Sequence, residues 1–220
     1  MADPETRKPK PKKDSPHQMW VEGDDDLFVI ANLQNRRKID WNIHIVSHKG
    51  SPLFKAIETQ LKPGFFASRL GIVLDADDVS AASWRRIGTA LTKAGYHDIP
   101  ESQDPNGTII DAPHEALPRL GVWMMPDNVV DGMLEDFVIP LIPIDPIWRR
   151  ACDTVDSIPD EERRFAKRHR SKACVHTWLA WQDDPGLPMG RALEREESQI
   201  LLASGPLADR FLAWLSRLYE

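Results

Sequence analysis

Residues 70–78 read LGIVLDADD, a continuous apolar run that ends in three aspartates. An apolar run of this length without a polar interruption is typical of a strand buried on both faces of a parallel sheet. Asp75 and Asp77 then lie close together at the rim of that sheet, where their charges repel each other unless a hard divalent cation such as Mg²⁺ binds them. The alternative interpretation is a strand end whose aspartates cap the following helix.

Strand and helix patterns alternate on both sides of this run. Strands are predicted at 18–21, 41–46, 70–74 and 120–125, and helices at 24–36, at 51–61 with Ser51 as its cap, at 80–95 and from about 133. This order predicts an α/β fold: an open, mostly parallel sheet of about four to five strands flanked by helices, with a mainly helical C-terminal extension. In such sheets the functional site lies at the carboxyl ends of the strands.

A second acidic stretch, VEGDDD at 21–26, ends the first predicted strand. Glu22 stands at the strand tip, and Gly23 after it lets the backbone turn sharply towards a metal ion or a phosphate. Glu22 and Asp75 therefore both fall where a site is expected in this fold. For Asp24–Asp26 we favour the simpler interpretation that these aspartates cap the helix and interact with its dipole.

A strand followed by Glu22 and Gly23, two strand–helix steps and a buried strand ending in Asp75-x-Asp77 resembles the Toprim domain. That domain is shared by topoisomerases, bacterial primases, OLD-family nucleases and small maturase or recombination proteins. The resemblance covers residues 19 to about 142. It implies that Glu22 acts as a general acid/base or metal ligand and that Asp75 and Asp77 bind Mg²⁺. Residues 121–127, 132–137 and 169–181 extend it, since they are similar to an uncharacterised family of small stand-alone Toprim-like proteins.

The resemblance implies phosphodiester chemistry on nucleic acid that depends on one or two Mg²⁺ or Mn²⁺ ions. Departures from better-known members of the superfamily exclude some of its activities for this chain. A topoisomerase takes its nucleophilic tyrosine from another domain, whereas only Tyr96 and Tyr219 occur here, and two cysteines cannot supply the zinc module of a bacterial primase. The ATPase loop of the OLD nucleases, Gly-x-x-x-x-Gly-Lys-Ser/Thr, is also missing from the sequence. We therefore expect a metal-dependent nuclease working with an ATPase on a separate chain, a partner that only the resemblance implies.

Glu135 and Asp136 begin the helix that follows the fourth predicted strand. They are candidates for a second metal position, because two ions about 4 Å apart stabilise both the attacking and the leaving oxygen in phosphodiester cleavage. The alternative is equally open, since acidic residues in a first helical turn interact favourably with the helix dipole.

The run from Glu161 to His176 is the locally cationic segment of the chain after the N-terminal tail. We select Lys172 as a catalytic residue, because a cation near a metal site neutralises charge that develops on a transferring phosphoryl group. Arg168 and Arg170, together with Lys172, are the candidate nucleic-acid contacts. The alternative is a solvated helix face. His176, Trp178 and Trp181 are predicted to belong to the core.

Composition and charge bound the class of protein. The 220 residues carry a net charge of −6, which excludes nucleic-acid binding by bulk electrostatics alone. Apolar runs fall far short of the roughly 20 residues of a membrane-spanning helix, so no membrane contact is expected. Two cysteines and no apolar leader favour a reducing, cytoplasmic location. The Lys- and Pro-rich residues 1–17 are predicted to be a disordered basic tail, 18–142 the Toprim-like domain and 143–220 a helical extension packed on the same core.

Three other functions remain open. The first is a catalytically silent Toprim-like module that binds nucleic acid or a partner protein. The second is a phosphatase of the haloacid-dehalogenase type, since Asp75-x-Asp77-x-Val79 matches its opening motif, although two strand–helix units precede it here. The third is a metal-dependent glycosyltransferase, which residues 74–78 and 134–137 resemble, although the first strand lacks the opening typical of that class.

Overall fold

The computed structural model of the chain describes residues 12–49, 53–194 and 200–220. Its centre is a five-stranded sheet in the order β2-β1-β3-β5-β4. The strands are β1 (His17–Val21), β2 (Ile43–Ser47), β3 (Arg69–Asp75), β4 (Thr108–Ile110) and β5 (Arg119–Met125). Strands β2, β1, β3 and β5 run parallel to one another, and β4 pairs antiparallel with β5 at one edge. The predicted α/β class, with its mostly parallel sheet and helical C-terminal region, is confirmed.

Eight α-helices among the described residues surround the sheet. They are α1 (Asp24–Arg36), α2 (Leu53–Gln60), α3 (Ser80–Lys93), α4 (Leu134–Val138), α5 (Pro146–Asp156), α6 (Arg170–Ala180), α7 (Met189–Glu194) and α8 (Pro206–Tyr219). The bounds of α1 are those that the apolar spacing predicts. The predicted capping of α2 by Ser51 lies outside the described residues. No helix in the described part of the chain is long and apolar enough to cross a membrane.

Strand β4 is the element that the sequence analysis missed. It has only three residues, and it forms because Thr108–Ile110 can pair with β5 at the edge of the sheet. A strand this short has too few residues for an alternating pattern to show, so only its pairing partner identifies it.

The helices cover the sheet on both faces. One face packs against α2 and α3, with Trp20, Ile72 and Trp84 in its core. The other packs against α1 and the helices after residue 133, and its core joins Val73 of β3 to Trp214 of α8. The C-terminal helices therefore share a hydrophobic core with the sheet.

The segment just before β1 differs from the predicted tail. Ser15 is buried, and its hydroxyl donates a hydrogen bond to the backbone carbonyl of Asn42. Lys12 forms an ion pair with Asp40 at 2.6 Å. Residues 12–17 are thus held by the loop before β2, because pairing of β1 with β2 brings the two entry segments side by side. Residues 1–11, the rest of the predicted tail, lie outside the described residues.

Candidate active site

Acidic side chains gather at the carboxyl ends of β1 and β3, where α4 also begins. They line a cleft of 390 Å³ together with two lysines. Its lining comprises Glu22, Gly23, Asp24, Asp25, Asp26, Lys49, Asp75, Leu134, Glu135 and Lys172. The parallel register of β1 and β3, in which Val21 lies opposite Val73, brings the two strand ends to the same edge.

Glu22 and Asp75 are joined directly. The carboxylate Oε2 of Glu22 accepts a hydrogen bond from the backbone N–H of Asp75 at 3.2 Å. Burial raises the pKa of Glu22, and the nearby charge of Asp77 adds to the rise, although the Asp75 N–H and Arg86 oppose it. Glu22 therefore holds a proton more readily than an exposed glutamate does.

Asp75 lies at the end of β3, where its Oδ1 accepts a hydrogen bond from the backbone N–H of Leu134 at 3.0 Å. Burial, followed by the charges of Asp26, Glu22 and Glu135, raises the pKa of Asp75 to about 9. Several carboxylates are thus held in one place at a free-energy cost that a bound cation would offset.

Asp26 is a member of this cluster that the sequence analysis assigned to helix capping. It does cap α1, because its Oδ2 accepts from the Gly23 N–H at 3.0 Å. It is also only 7% exposed, and burial together with the charge of Glu22 raises its pKa to about 7. The signal for this second role was its helical spacing: Asp26 shares the buried face of α1 with Val29, Ile30 and Leu33.

Glu135 faces the cleft from the start of α4. Its carboxylate lies 3.0 Å from Lys172 Nζ and 3.7 Å from His176 Nε2, both on α6. Burial raises the pKa of Glu135, but the hydrogen bonds from His176 and Lys172 outweigh this and hold it below its usual value. Burial lowers the pKa of Lys172, but the bond to Glu135 outweighs that effect and the net direction is upward. Lys172 is therefore a charged side chain at the edge of the acidic cluster.

Two of the predicted metal ligands lie outside the cleft lining. Asp136 caps α4 by accepting from the Met133 N–H at 3.0 Å, and it also accepts from the hydroxyl of Ser171. Asp77 is exposed and adopts a left-handed conformation with φ of 58°. Its backbone pairs with that of Gly132, but its charge still acts on Glu22 and Asp75.

The predicted basic contacts are separated by the fold. Arg168 pairs with Asp78 at 2.9 Å, near the loop between β3 and α3. Arg170 instead forms a two-point pair with Asp156 on α5, with N–O distances of 2.6 and 2.5 Å. Lys172 alone among the three lines the cleft.

The structure corrects the expectation that His176 and Trp181 belong to the core together with Trp178. Only Trp178 is buried, whereas Trp181 is 43% exposed and the side chain of His176 is 49% exposed. On α6, Trp178 packs against Trp148 of α5, whereas His176 is one turn from Lys172 and points towards Glu135.

The carboxylates suit a cation that needs few protein ligands. Within residues 12–49, 53–194 and 200–220, no three His, Cys, Asp or Glu side chains converge closely enough to enclose an ion on their own. Mg²⁺ commonly takes only one or two carboxylates and keeps several of its waters. Glu22 and Asp75, which share a hydrogen bond and have no ion-pair partner among the described residues, fit that mode of binding.

Fold and site together define an open α/β protein with an acidic cleft at the carboxyl ends of its parallel strands. The chain belongs to the DUF3226 family, described as a protein of unknown function, whose family model matches residues 16–220. No curated protein and no solved structure matches the chain.

Proposed function

We propose that the chain performs metal-dependent phosphodiester cleavage on nucleic acid, as a Toprim-type nuclease. One observation carries the proposal: Glu22, Asp26 and Asp75 are brought together at the strand ends, and no described Lys, Arg or His forms an ion pair with any of them. Burying like charges without partners costs stability, so such a cluster is best explained by a function that uses it.

The candidate metal ligands are Glu22 and Asp75, with Asp26 beside them and Asp77 within electrostatic reach. A Mg²⁺ or Mn²⁺ ion held there supplies Lewis-acid polarisation of a phosphate oxygen and lowers the pKa of a bound water. Glu135, whose carboxylate is buried and paired with Lys172, is the candidate ligand for a second ion.

The side chains of the cleft have distinct roles in this proposal. Glu22, whose pKa is raised by burial, is suited to hold and release the proton of the attacking water or of the leaving oxygen. Lys172 is charged and half-exposed, so its ammonium group can leave Glu135 and contact a phosphate. Arg168, exposed beside the loop after β3, is the candidate contact for a nucleic-acid backbone outside the cleft lining.

The resemblance to Toprim domains also supports nucleic acid as the substrate and an ATPase on a separate chain as a partner. A net charge of −6 requires that binding rely on local cations and metal ions, so cleavage should weaken steeply with salt. The thiols of Cys152 and Cys174 are free, in keeping with a cytoplasmic location.

The test is cleavage of labelled single- and double-stranded DNA and RNA with Mg²⁺, Mn²⁺ or EDTA. We expect metal-dependent cleavage by the wild-type chain and a loss of about a hundredfold or more in Asp75→Asn and Glu22→Gln. Glu135→Gln and Asp136→Asn form a matched pair of neighbours. The first should impair cleavage strongly, whereas the second, which keeps an oxygen for the Met133 N–H, should retain most of it.

Manganese binding by calorimetry distinguishes the alternatives. A nuclease that lacks only its partner still binds Mn²⁺, and Asp75→Asn weakens that binding. Equal Mn²⁺ affinity for the wild type and Asp75→Asn, with no cleavage of any substrate, would contradict the proposal and favour the silent module. Hydrolysis of phosphate monoesters, or binding of a nucleoside diphosphate sugar, would instead favour the phosphatase or the glycosyltransferase.

A further inference from the structure

Helices α5 and α6 are held in a fixed register by side-chain pairs spaced four residues apart. Trp148 of α5 packs edge-on against Trp178 of α6, with ring centroids 6.2 Å apart. Asp156 of α5 pairs with Arg170 of α6 through two hydrogen bonds. As the residue number rises by eight along α5 it falls by eight along α6, so the two helices run antiparallel. The residues midway between these two pairs, one on each helix, therefore also face each other.

That midway pair is Cys152 and Cys174, the two cysteines of the chain. Their side chains are close enough to interact, and neither is in a disulfide. Cys174 is fully buried, whereas Cys152 is partly exposed. The helix register set by the two flanking pairs places the cysteines opposite each other across the interface, and a disulfide requires such facing positions.

The pairs on either side keep the thiols facing. Trp178 is anchored a second time, because its Nε1 donates to Asp145 Oδ2 at 2.6 Å. At the other end, the two-point contact between Arg170 and Asp156 resists sliding of one helix along the other. A disulfide can therefore close without a change of register, at a small cost in native-state strain.

We propose that Cys152 and Cys174 are a reversible disulfide site that joins α5 to α6. The co-reactant is a two-electron oxidant such as hydrogen peroxide or glutathione disulfide. With peroxide, the Cys152 sulfur attacks one oxygen, the O–O bond breaks, and a sulfenic acid and one water form. The Cys174 sulfur then attacks the Cys152 sulfur, the S–O bond breaks, and the hydroxyl leaves with the Cys174 proton as a second water. Two thiols are oxidised while one peroxide is reduced to two waters.

The surroundings favour Cys152 as the residue that reacts first. It is the more exposed of the two, so an oxidant in solution reaches it before Cys174. The guanidinium of Arg170 lies close enough to interact electrostatically with both sulfurs. With glutathione disulfide, the Cys152 sulfur attacks one sulfur, the S–S bond breaks, and a mixed disulfide and one reduced glutathione form; the Cys174 sulfur then attacks the Cys152 sulfur and releases the second reduced glutathione.

The site is separate from the acidic cleft, and the inference does not rest on the proposed function. Cys174 lies on α6 between Lys172 and His176, the two side chains that contact Glu135. A cross-link to α5 therefore restrains the helix that carries both of these contacts.

The experiment equilibrates the full chain with mixtures of reduced and oxidised glutathione, once under native conditions and once in concentrated urea. Free thiols are then alkylated, and the intramolecular disulfide is measured by mass spectrometry. Because native packing keeps the thiols facing, we expect the folded chain to stay oxidised at a ratio of reduced to oxidised glutathione at least about tenfold higher than the unfolded chain tolerates. An equal or lower ratio for the folded chain would overturn the proposal.

Cys152→Ser and Cys174→Ser serve as controls. Cys174→Ser should take up one glutathione on Cys152, whereas Cys152→Ser, whose remaining thiol is buried, should take up little while folded. Neither should show the loss of two hydrogens that marks the intramolecular bond. The central comparison, between folded and unfolded wild type, uses no variant and so does not depend on how well the serine variants fold.

Discussion

Asp75 lies at the end of a buried strand, where its carboxylate is partly removed from water and feels the charges of four other acidic side chains. Its pKa of about 9 in the folded chain is far above the value of about 4 expected in the unfolded chain. Between those two values the folded chain holds a proton that the unfolded chain has released. The contribution of Asp75 to the stability of the metal-free protein is therefore lost as the pH rises through that window.

We expect Asp75→Asn to remove this loss. In EDTA, the melting temperature of the wild type should fall between pH 5 and pH 9 by more than that of Asp75→Asn, because the amide carries no charge to bury and still accepts from the Leu134 N–H. At the upper end of that pH range in EDTA, Asp75→Asn should therefore melt at the higher temperature. When Mn²⁺ is added, the wild type should melt at the higher temperature, since it gains more from binding the ion.

Thermal melts over that pH range, with and without the metal, measure both effects. Asp77→Asn is the comparison variant, because Asp77 is exposed and asparagine tolerates its left-handed backbone. Its charge is the smallest of the four that raise the pKa of Asp75, so the pH slope should change much less than in Asp75→Asn. An Asp75→Asn variant whose melting temperature follows the same pH slope as the wild type would show that Asp75 is not the source of the pH-dependent loss of stability.

The adjacent residues Glu135 and Asp136 show how a single helix start separates two carboxylates. Asp136 turns back to the Met133 N–H and meets Ser171, whereas Glu135 turns into the cleft and meets Lys172. The sequence predicted acidic residues at the start of α4 correctly but left their roles open. Only the packing of α6 against α4 supplies the partners that distinguish them.

At the scale of elements, α8 packs against the sheet at Gly71 and Gly121, which have no side chains to hold it away. The two glycines are paired in the register of β3 and β5. A Cβ on Gly121 would lie 2.6 Å from Leu218 Cδ2 and 3.0 Å from Trp214 Cζ2. The close approach also lets Tyr219 bind the sheet, since its hydroxyl accepts from the Gly71 N–H at 3.0 Å and donates to the Gln18 carbonyl at 2.5 Å.

We expect Gly121→Ala to lower the free energy of unfolding by about 1–3 kcal/mol, because the added methyl group forces α8 away from the sheet. Gly88→Ala is the control. It lies in α3, where an added Cβ would meet its nearest atom at 3.8 Å, so the change should raise the free energy of unfolding by about 0.5–1 kcal/mol. Urea denaturation measures both. A Gly121→Ala variant as stable as the wild type would show that α8 does not depend on this contact.

At the scale of the whole molecule, the helices after residue 142 bury the face of the sheet that α2 and α3 leave uncovered. Trp123 of β5 packs against Phe211 and Trp214 of α8, with ring centroids 5.1 and 5.6 Å away. Removing these helices would expose one side of β3 and β5 to water, so we expect the sheet and the C-terminal helices to unfold together.

Coincident unfolding curves from tryptophan fluorescence and far-ultraviolet circular dichroism would establish this single transition. Trp20 reports on the face covered by α2 and α3, and Trp214 on the other face. The variants Trp20→Phe and Trp214→Phe, each missing one of the tryptophans of one face, should therefore show the same midpoint by both methods. A midpoint that differs between the two methods would indicate two units that unfold separately.

Local sequence determined the order and type of most elements. The apolar run before Asp75 and the helical spacing after Asp24 depend on residues close to each other in the chain, which is why the predicted bounds of α1 agree with the structure and those of β3 differ by one residue at each end. The same reasoning placed Glu22 and Asp75 at one edge, because parallel strands end on the same side.

Tertiary structure alone decided which distant side chains meet. The role of Asp26 beside Asp75, the contact of His176 with Glu135 and the pairing of Cys152 with Cys174 each join residues far apart in sequence. Such contacts depend on how helices pack and in which register, and no local pattern specifies that. The physical reason is range: propensity and periodicity act over a few residues, whereas burial and charge act between whatever residues the packing brings together.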